Sequence, residues 1–200
     1  MASLVKKVDP DLAEVIRRVG PCDLKPDKSR TIYASLVRSI VYQQLTGKVA
    51  GIIFGRLIDL FPGKKFPTPE SILALPLDTL RGVGLSNQKT QYIRNIAQAA
   101  IDGVVPDSRK ANRMSDDELV EQLTSIKGVG RWTVEMLLIF RLGRPDVLPA
   151  TDYGVQKGFA LAKRLAEHPK PKELLAAGEC WAPYRTVAAW YCWRTADIVN

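Results

Sequence analysis

Two hundred residues with 46% hydrophobic side chains are enough to bury a core as one domain or two small lobes, and a formal net charge of +8 favours a polyanionic partner. No apolar run approaches the ~20 residues needed to span a bilayer, and Met1-Ala-Ser-Leu-Val-Lys-Lys lacks the apolar stretch of a secretory signal. The expected setting is therefore intracellular. Cys22, Cys180 and Cys192 are scattered with no C-x-x-C pair, and His168 is the single histidine, which argues against a zinc site or a cysteine-held iron–sulfur cluster.

Helical signals dominate and no strand-like alternation is sustained. Asp9-Pro10 followed by Leu12, Val15, Ile16 and Val19, then Gly20, reads as a capped helix with proline in its first turn. Thr31 to Leu45 is strongly apolar and central, interrupted only by Gln43-Gln44. Those amides are either a polar helix end or a pair offered to base edges. After a bend near Gly47 the chain continues as a helix to Phe61, stopped by Pro62-Gly63. Thr68-Pro69-Glu70 starts a short helix, and Ser86 a longer one carrying Tyr92, Ile93, Ile96 and Ala97. Ser115-Asp-Asp-Glu118 has the form of a capping box before Leu119, Leu123 and Ile126. Trp132 to Leu142, Asp152 to Leu165, Pro171 to Ala177 and Pro183 to Val199 complete an all-α bundle of about ten helices. The longest irregular stretches, about Gly20–Arg30 and Gly103–Met114, are the expected lobe connections. His168, in Glu-His-Pro-Lys-Pro, reads as a solvated loop residue.

The most informative segment is Leu123 to Trp132, in which a helix closes onto Gly128-Val129-Gly130 and a second helix starts at once. Two glycines permit positive φ and leave no side chain between the turn and a ligand. The first amides of the new helix then form an anion site, and a phosphate is the natural anion. Taken alone the turn is also compatible with a helix C-cap and a quick restart; Arg131 and the basic neighbours Lys127, Arg141 and Arg144 favour nucleic acid. Twenty residues beyond Trp132 stands Asp152, next to Tyr153. Asp152 reads either as a helix N-cap or as an isolated carboxylate that does chemistry, and the two roles are compatible. By default Trp132, Trp190 and Trp193 are core residues, Trp190 and Trp193 sharing a helix face. Leu80-Arg-Gly-Val-Gly84 echoes Ile126-Lys-Gly-Val-Gly130 and reads as a degenerate hairpin that helps packing.

Together, Tyr42-Gln-Gln-Leu-Thr46, Gly128-Val-Gly-Arg-Trp-Thr133 and Arg144-Pro-Asp-Val-Leu-Pro-Ala-Thr-Asp-Tyr153 resemble the helix-hairpin-helix DNA glycosylases, most closely the 3-methyladenine DNA glycosylase II type, from about Thr31 to Trp193. The resemblance implies a single compact, two-lobed all-α fold over 1–200. One lobe covers about 31–112. The other covers 113–200, with the hairpin at 123–136 and the catalytic loop at 144–153, and the active site lies in the cleft between them. It implies Asp152 as the catalytic carboxylate, and Trp132, Tyr153, Trp193 and Met136 as the base pocket. It further implies Gln44, Leu45, Lys127, Gly128, Val129, Gly130, Arg131 and Thr133 as DNA-binding residues. Met136 stands where some relatives place an aromatic.

In relatives that also cut the strand, a lysine stands two residues after the second hairpin glycine; here that position is Trp132, which forms no Schiff base. The resemblance also implies no required cofactor, no iron–sulfur extension, and a structural monovalent cation held by the backbone of Thr124, Ile126 and Val129. The expected protein is a monomeric, monofunctional enzyme in the compact form, lacking the N-terminal sheet domain of larger bacterial relatives. Its expected partner is double-stranded DNA with alkylated bases, in the cytoplasm or nucleoid, or in a nucleus. A non-catalytic helix-hairpin-helix clamp and a bifunctional glycosylase/lyase remain as alternatives, the latter disfavoured by Trp132.

Overall fold

The computed structural model describes residues 7–198. Among them are no strands and twelve α-helices: α1 Pro10–Val19, α2 Ile32–Tyr42, α3 Gly47–Asp59, α4 Pro69–Ala74, α5 Leu77–Gly82, α6 Asn87–Ile101, α7 Ser108–Arg113, α8 Asp116–Thr124, α9 Arg131–Leu137, α10 Tyr153–Lys163, α11 Pro171–Ala177 and α12 Arg185–Ile198. None is long and apolar enough to cross a membrane. The helix starts follow from local chemistry. Asp9, Thr31, Thr68, Ser86, Asp107, Ser115 and Asp152 each accept a hydrogen bond from an amide in the first turn, and Glu118 completes the capping box with Ser115.

Two compact units divide the chain, Asp27–Leu137 and Met1–Pro26 with Leu138–Asn200. In the first, α2 is the central helix: Leu36, Val37, Ile40 and Val41 are fully buried, as expected of a helix apolar on every side. α3, α6 and α9 pack on it. In the second, α12 is central, with α1 and α10 packed against it. Its core holds Leu12, Ile16, Val155, Phe159, Trp181, Val187, Ala188, Tyr191 and Cys192. Asp9 ties this unit together. Buried at the N-cap of α1, it accepts from the Leu12 amide at 3.0 Å, the Trp181 indole at 2.9 Å and Lys163 Nζ at 2.7 Å.

This division differs from the expected one at residues 112 and 113. The hairpin helices α8 and α9 belong with residues 27–112, because they bury Leu119, Leu123 and Val134 there. Gln122 Nε2 also donates to the Val104 carbonyl at 2.6 Å. The change of unit at Pro26 falls inside the Gly20–Arg30 stretch, as expected. Gly103–Met114 is no lobe connection: it lies within one unit and contains α7, capped by Asp107.

Two helix ends also differ. α2 stops at Tyr42 rather than running to Leu45, because Gln43 is extended at ψ 132° and Gln44 is left-handed at φ +56°. The helix expected over Trp132–Leu142 is α-helical only to Leu137 and continues as one π turn, Leu138–Leu142, ended by Gly143 at φ +71°. The echo at Leu80–Gly84 packs as read, with Leu80, Val83 and Leu85 buried. Its left-handed residue is the second glycine, Gly84 at φ +107°, whereas in the hairpin it is the first.

Candidate active site and nucleic-acid interface

The hairpin is held from below by α6. Gly128 has φ +104°, and a Cβ there would lie 2.2 Å from Tyr92 Cγ, so both its conformation and its space exclude a side chain. Asn95 Nδ2 donates to the Lys127 carbonyl at 2.9 Å. Val129 is buried, and its amide closes the turn on the Ile126 carbonyl at 2.9 Å. Gly130 differs: it is outside the left-handed region, and an added Cβ would meet nothing within 4 Å. Of the two glycines that permit positive φ only Gly128 uses it, since one left-handed residue suffices to reverse the chain after a helix. The amides of Thr133 and Val134 bond back to the Gly130 carbonyl, so those of Gly130 and Arg131 precede the helical ladder. Lys127 and Arg131 are exposed, and Arg131 Nε is steered along α9 by buried Glu135 at 3.1 Å.

Thr133 departs from its DNA-contact role. It is 1% exposed, and its hydroxyl accepts from Gln43 Nε2 at 3.0 Å. This bond fixes the Gln43–Leu45 turn to α9. Lys89 Nζ fixes it a second time, donating to the carbonyls of Val41 at 2.9 Å and Gln43 at 2.6 Å. Burial of the Lys89 ammonium lowers its pKa, while the end of α2 places carbonyl oxygens where a cation is favoured. The outcome of this bracing is an exposed pair, left-handed Gln44 and Leu45, the latter 38% exposed. Trp132 is half-buried and Met136 buried on α9. Arg141 is buried, so its charge is not offered at the surface.

The other unit carries the carboxylate. Asp152 Oδ1 accepts from the Val155 amide at 2.9 Å, as an N-cap, and from the Trp193 indole Nε1 at 2.8 Å. The loop leading to it is clamped on the start of α12: Arg185 makes a bidentate pair with Asp146 at 2.7 and 2.8 Å, and the Thr186 hydroxyl donates to the Arg144 carbonyl at 2.7 Å. The guanidinium beside it holds the Asp146 carboxyl below the usual range, against the opposing effect of burial. Trp193 stacks on Phe140, with ring centroids 5.4 Å apart and planes at 28°. Tyr153 is largely exposed, its ring meeting His168 edge-on at 5.1 Å, and His168 is an exposed loop residue as expected.

A carboxylate that accepts two hydrogen bonds beside stacked aromatics, and a glycine turn whose second glycine is open, are what the helix-hairpin-helix glycosylase motifs lead one to expect. The family model described as "HhH-GPD superfamily base excision DNA repair protein" matches residues 37–183. The chain belongs to this superfamily.

Among HhH-GPD relatives, the chain is 39% identical over 196 residues to DNA-3-methyladenine glycosylase 1 of Schizosaccharomyces pombe, covering 96% of this chain and 85% of that one. A solved structure of the S. pombe 3-methyladenine DNA glycosylase in complex with abasic DNA superposes with a TM-score of 0.92 at 39% identity, over 98% of this chain and 96% of the other. A DNA-3-methyladenine glycosidase structure from Bacillus halodurans matches with a TM-score of 0.81 at 36% identity, covering 96% and 87%.

Of the residues read from the HhH-GPD motifs, Asp152 and Trp193 are in direct contact and Tyr153 adjoins them, while Trp132 and Met136 are carried by the hairpin unit. Sequence reasoning missed Phe140, 41% exposed over Trp193. Its spacing of four from Met136, in an otherwise apolar run, was the available signal. Tyr92 and Asn95, which brace the hairpin, carry no local signal, because their partners lie 36 and 32 residues away in the sequence.

Proposed function

We propose that this HhH-GPD chain is a monofunctional DNA glycosylase of base excision repair that hydrolyses the N-glycosidic bond of alkylated bases. The reading extends to 3-methyladenine and 7-methylguanine, to hypoxanthine as a slower substrate, and to the bulkier ethenoadenine. The observation that carries it is the doubly held carboxylate of Asp152 beside the Trp193–Phe140 stack. The target base leaves the helix at a cost of a few kcal/mol. Exposed Leu45, with Gln44, fills the space it vacates, in the manner of apolar wedges in the minor groove. The hairpin grips a phosphate with the backbone at Gly130 and Arg131 and with the charges of Lys127 and Arg131.

Alkylation at a ring nitrogen leaves the base cationic. Over a desolvated aromatic face such a base gains ~2 kcal/mol that a neutral base lacks. It is also already a good leaving group, so the first demand on the protein is to stabilise positive charge developing on the sugar. The Asp152 carboxylate does this and orients the attacking water. Trp132 stands where a strand-cutting relative would hold its lysine, so the abasic strand is left intact.

No redox or acid cofactor is needed for this chemistry. We further propose that the backbone carbonyls of Thr124, Ile126 and Val129 hold a structural monovalent cation, Thr124 lying in the last turn of α8 where the helix dipole is negative. The Ile126 carbonyl already accepts one amide and keeps a second lone pair. We place the protein as a monomer acting on genomic double-stranded DNA, wherever the cell keeps it.

The test is release of free base from methylated duplex DNA by the purified protein and by Asp152→Asn, with borohydride present in parallel reactions. The expected result is base release by wild type, loss of about 10²-fold or more in the variant, undiminished DNA binding, and no trapped adduct. Wild-type rates in a folded Asp152→Asn would leave only the helix cap and point to a DNA clamp. A trapped adduct would make the chain a lyase.

A further inference from the structure

α10 carries two glycines one turn apart, Gly154 and Gly158, and both face α12. At Gly158 an added Cβ would lie 1.8 Å from the Cys192 carbonyl oxygen, so this glycine sets how closely the two backbones approach. At Gly154 the three nearest atoms all belong to side chains. Its added Cβ would lie 2.9 Å from Trp193 Cδ1, 3.1 Å from Asp152 Oδ1 and 3.3 Å from Trp193 Nε1. Those atoms surround one interaction, the 2.8 Å hydrogen bond from the Trp193 indole to Asp152. Gly154 is not left-handed, so its own backbone does not require glycine. The indole has little room to yield, because Phe140 covers one face and its base is rooted next to the Cys192–Gly158 contact.

We propose that Gly154 is a positioning residue of the glycosidic step: its missing side chain admits the Trp193 N–H to Asp152 and thereby fixes the plane of the carboxylate. The Val155 amide and the Trp193 indole both engage Oδ1, so the indole adds a constraint on the carboxylate that the helix cap does not supply. With the indole in place, the carboxylate is held in one orientation before the sugar arrives. A methyl group at 154 pushes the indole off and releases that orientation while leaving the cap, the helix and the hairpin unchanged.

This inference rests on Asp152 being the catalytic carboxylate, and its test separates the two. Gly154→Ala, Trp193→Phe, the double variant and Asp152→Asn are compared in single-turnover excision of 7-methylguanine and in binding to abasic-site duplex. The Trp193 indole N–H resonance, identified by its loss in Trp193→Phe, is followed alongside. Gly154→Ala is expected to lose about 10- to 100-fold in excision rate with abasic-DNA affinity within about threefold of wild type. Its indole resonance should shift as it does in Asp152→Asn. Phenylalanine lacks both the N–H and the crowded edge, so the double variant should be no slower than Trp193→Phe alone.

Excision at the wild-type rate in Gly154→Ala, an undiminished effect of Ala in the Trp193→Phe background, or an indole resonance unmoved by Asp152→Asn would each overturn the proposal. Should Gly154→Ala not fold, an unaltered rate in Trp193→Phe overturns it, and a slowed Trp193→Phe with a resonance that responds to Asp152→Asn supports it. An active Asp152→Asn defeats the glycosylase reading itself, whereas an inactive Asp152→Asn beside a fully active Gly154→Ala defeats only the role of Gly154.

Discussion

Gly128 lies against the ring of Tyr92, with room for a hydrogen but not for a methyl, which would fall 2.2 Å from Tyr92 Cγ. Gly130, two residues on, has open space where its side chain would be. The two hairpin glycines therefore differ, the first closing the turn on α6 and the second leaving open space.

Gly128→Ala is expected to lower folding stability through two additive sources, left-handed backbone and overpacking, each of order 1–3 kcal/mol. Gly130→Val should change stability by no more than about 0.5 kcal/mol. It should weaken binding to damaged and undamaged duplexes by a similar factor, because phosphate contacts carry no base information. Thermal unfolding and fluorescence anisotropy measure the two effects. A Gly130→Val variant that loses affinity only for lesion-bearing DNA would contradict the assignment.

Asp9, Lys163 and Trp181 make stability depend on pH at both extremes. Burial of Asp9 pushes its pKa up, but the hydrogen bonds from Lys163, the Leu12 amide and Trp181, with the charge of Lys163, outweigh it and leave the pKa below its ordinary value. Its contribution is then full above about pH 4, the unfolded value, and is lost as pH falls through the lower folded value. Burial likewise opposes the Lys163 charge, but Asp9 and Asp11 raise its pKa above 10.5; that contribution is full below this pH and is lost as pH climbs through the raised value. Asp9→Ala should cost about 3–5 kcal/mol near neutrality, since it strips one partner from a buried pair. In denaturant titrations across pH, the gap between wild type and variant should be flat through the neutral range and narrow below pH 4. A gap that stays constant into acid would remove the ion pair as its source.

Gly158→Ala should be far more disruptive than Gly154→Ala. Its Cβ meets the backbone carbonyl of Cys192 rather than a side chain, so helices α10 and α12 must separate, at an expected cost of about 1–3 kcal/mol or more. The separation also moves Trp193, so stability and excision should fall together in melting curves and single-turnover assays. Wild-type melting for Gly158→Ala would mean that the two helices have slack to repack.

Phe140 is exposed where it lies over Trp193, the indole that donates to Asp152. Cationic 3-methyladenine and 7-methylguanine should be excised faster than neutral hypoxanthine. Phe140→Ala should compress that preference by about 5- to 30-fold, corresponding to a cation–π contribution of ~1–2 kcal/mol. Matched duplexes carrying each lesion, assayed at saturating protein, decide it. An unchanged ratio would place the discrimination elsewhere.

Helix starts were legible in the sequence because they are made by neighbours. Ser115 with Glu118, Thr68 with the Ser71 amide, and Asp152 with the Val155 amide are all pairs three residues apart, and such contacts form whatever the rest of the chain does. Asp107 shows the limit, because its cap opens a helix too short for an apolar period to be visible, and the segment reads as a connection. The glycine turn and the aspartate were legible as motifs, but which glycine must be left-handed was not: the echo at Gly82–Gly84 and the hairpin at Gly128–Gly130 share a pattern and place positive φ on opposite members. Packing against Ile53 in one case and Tyr92 in the other distinguishes them.

Only tertiary structure decided the carboxylate's second donor, 41 residues away on α12, the reassignment of the hairpin helices to the unit of residues 27–137, and the use of Thr133 as an internal acceptor for Gln43, 90 residues distant. These contacts depend on which helix faces bury their apolar stripes against which others. Periodicity shows that a stripe exists, but its partner is chosen by the packing of the whole core.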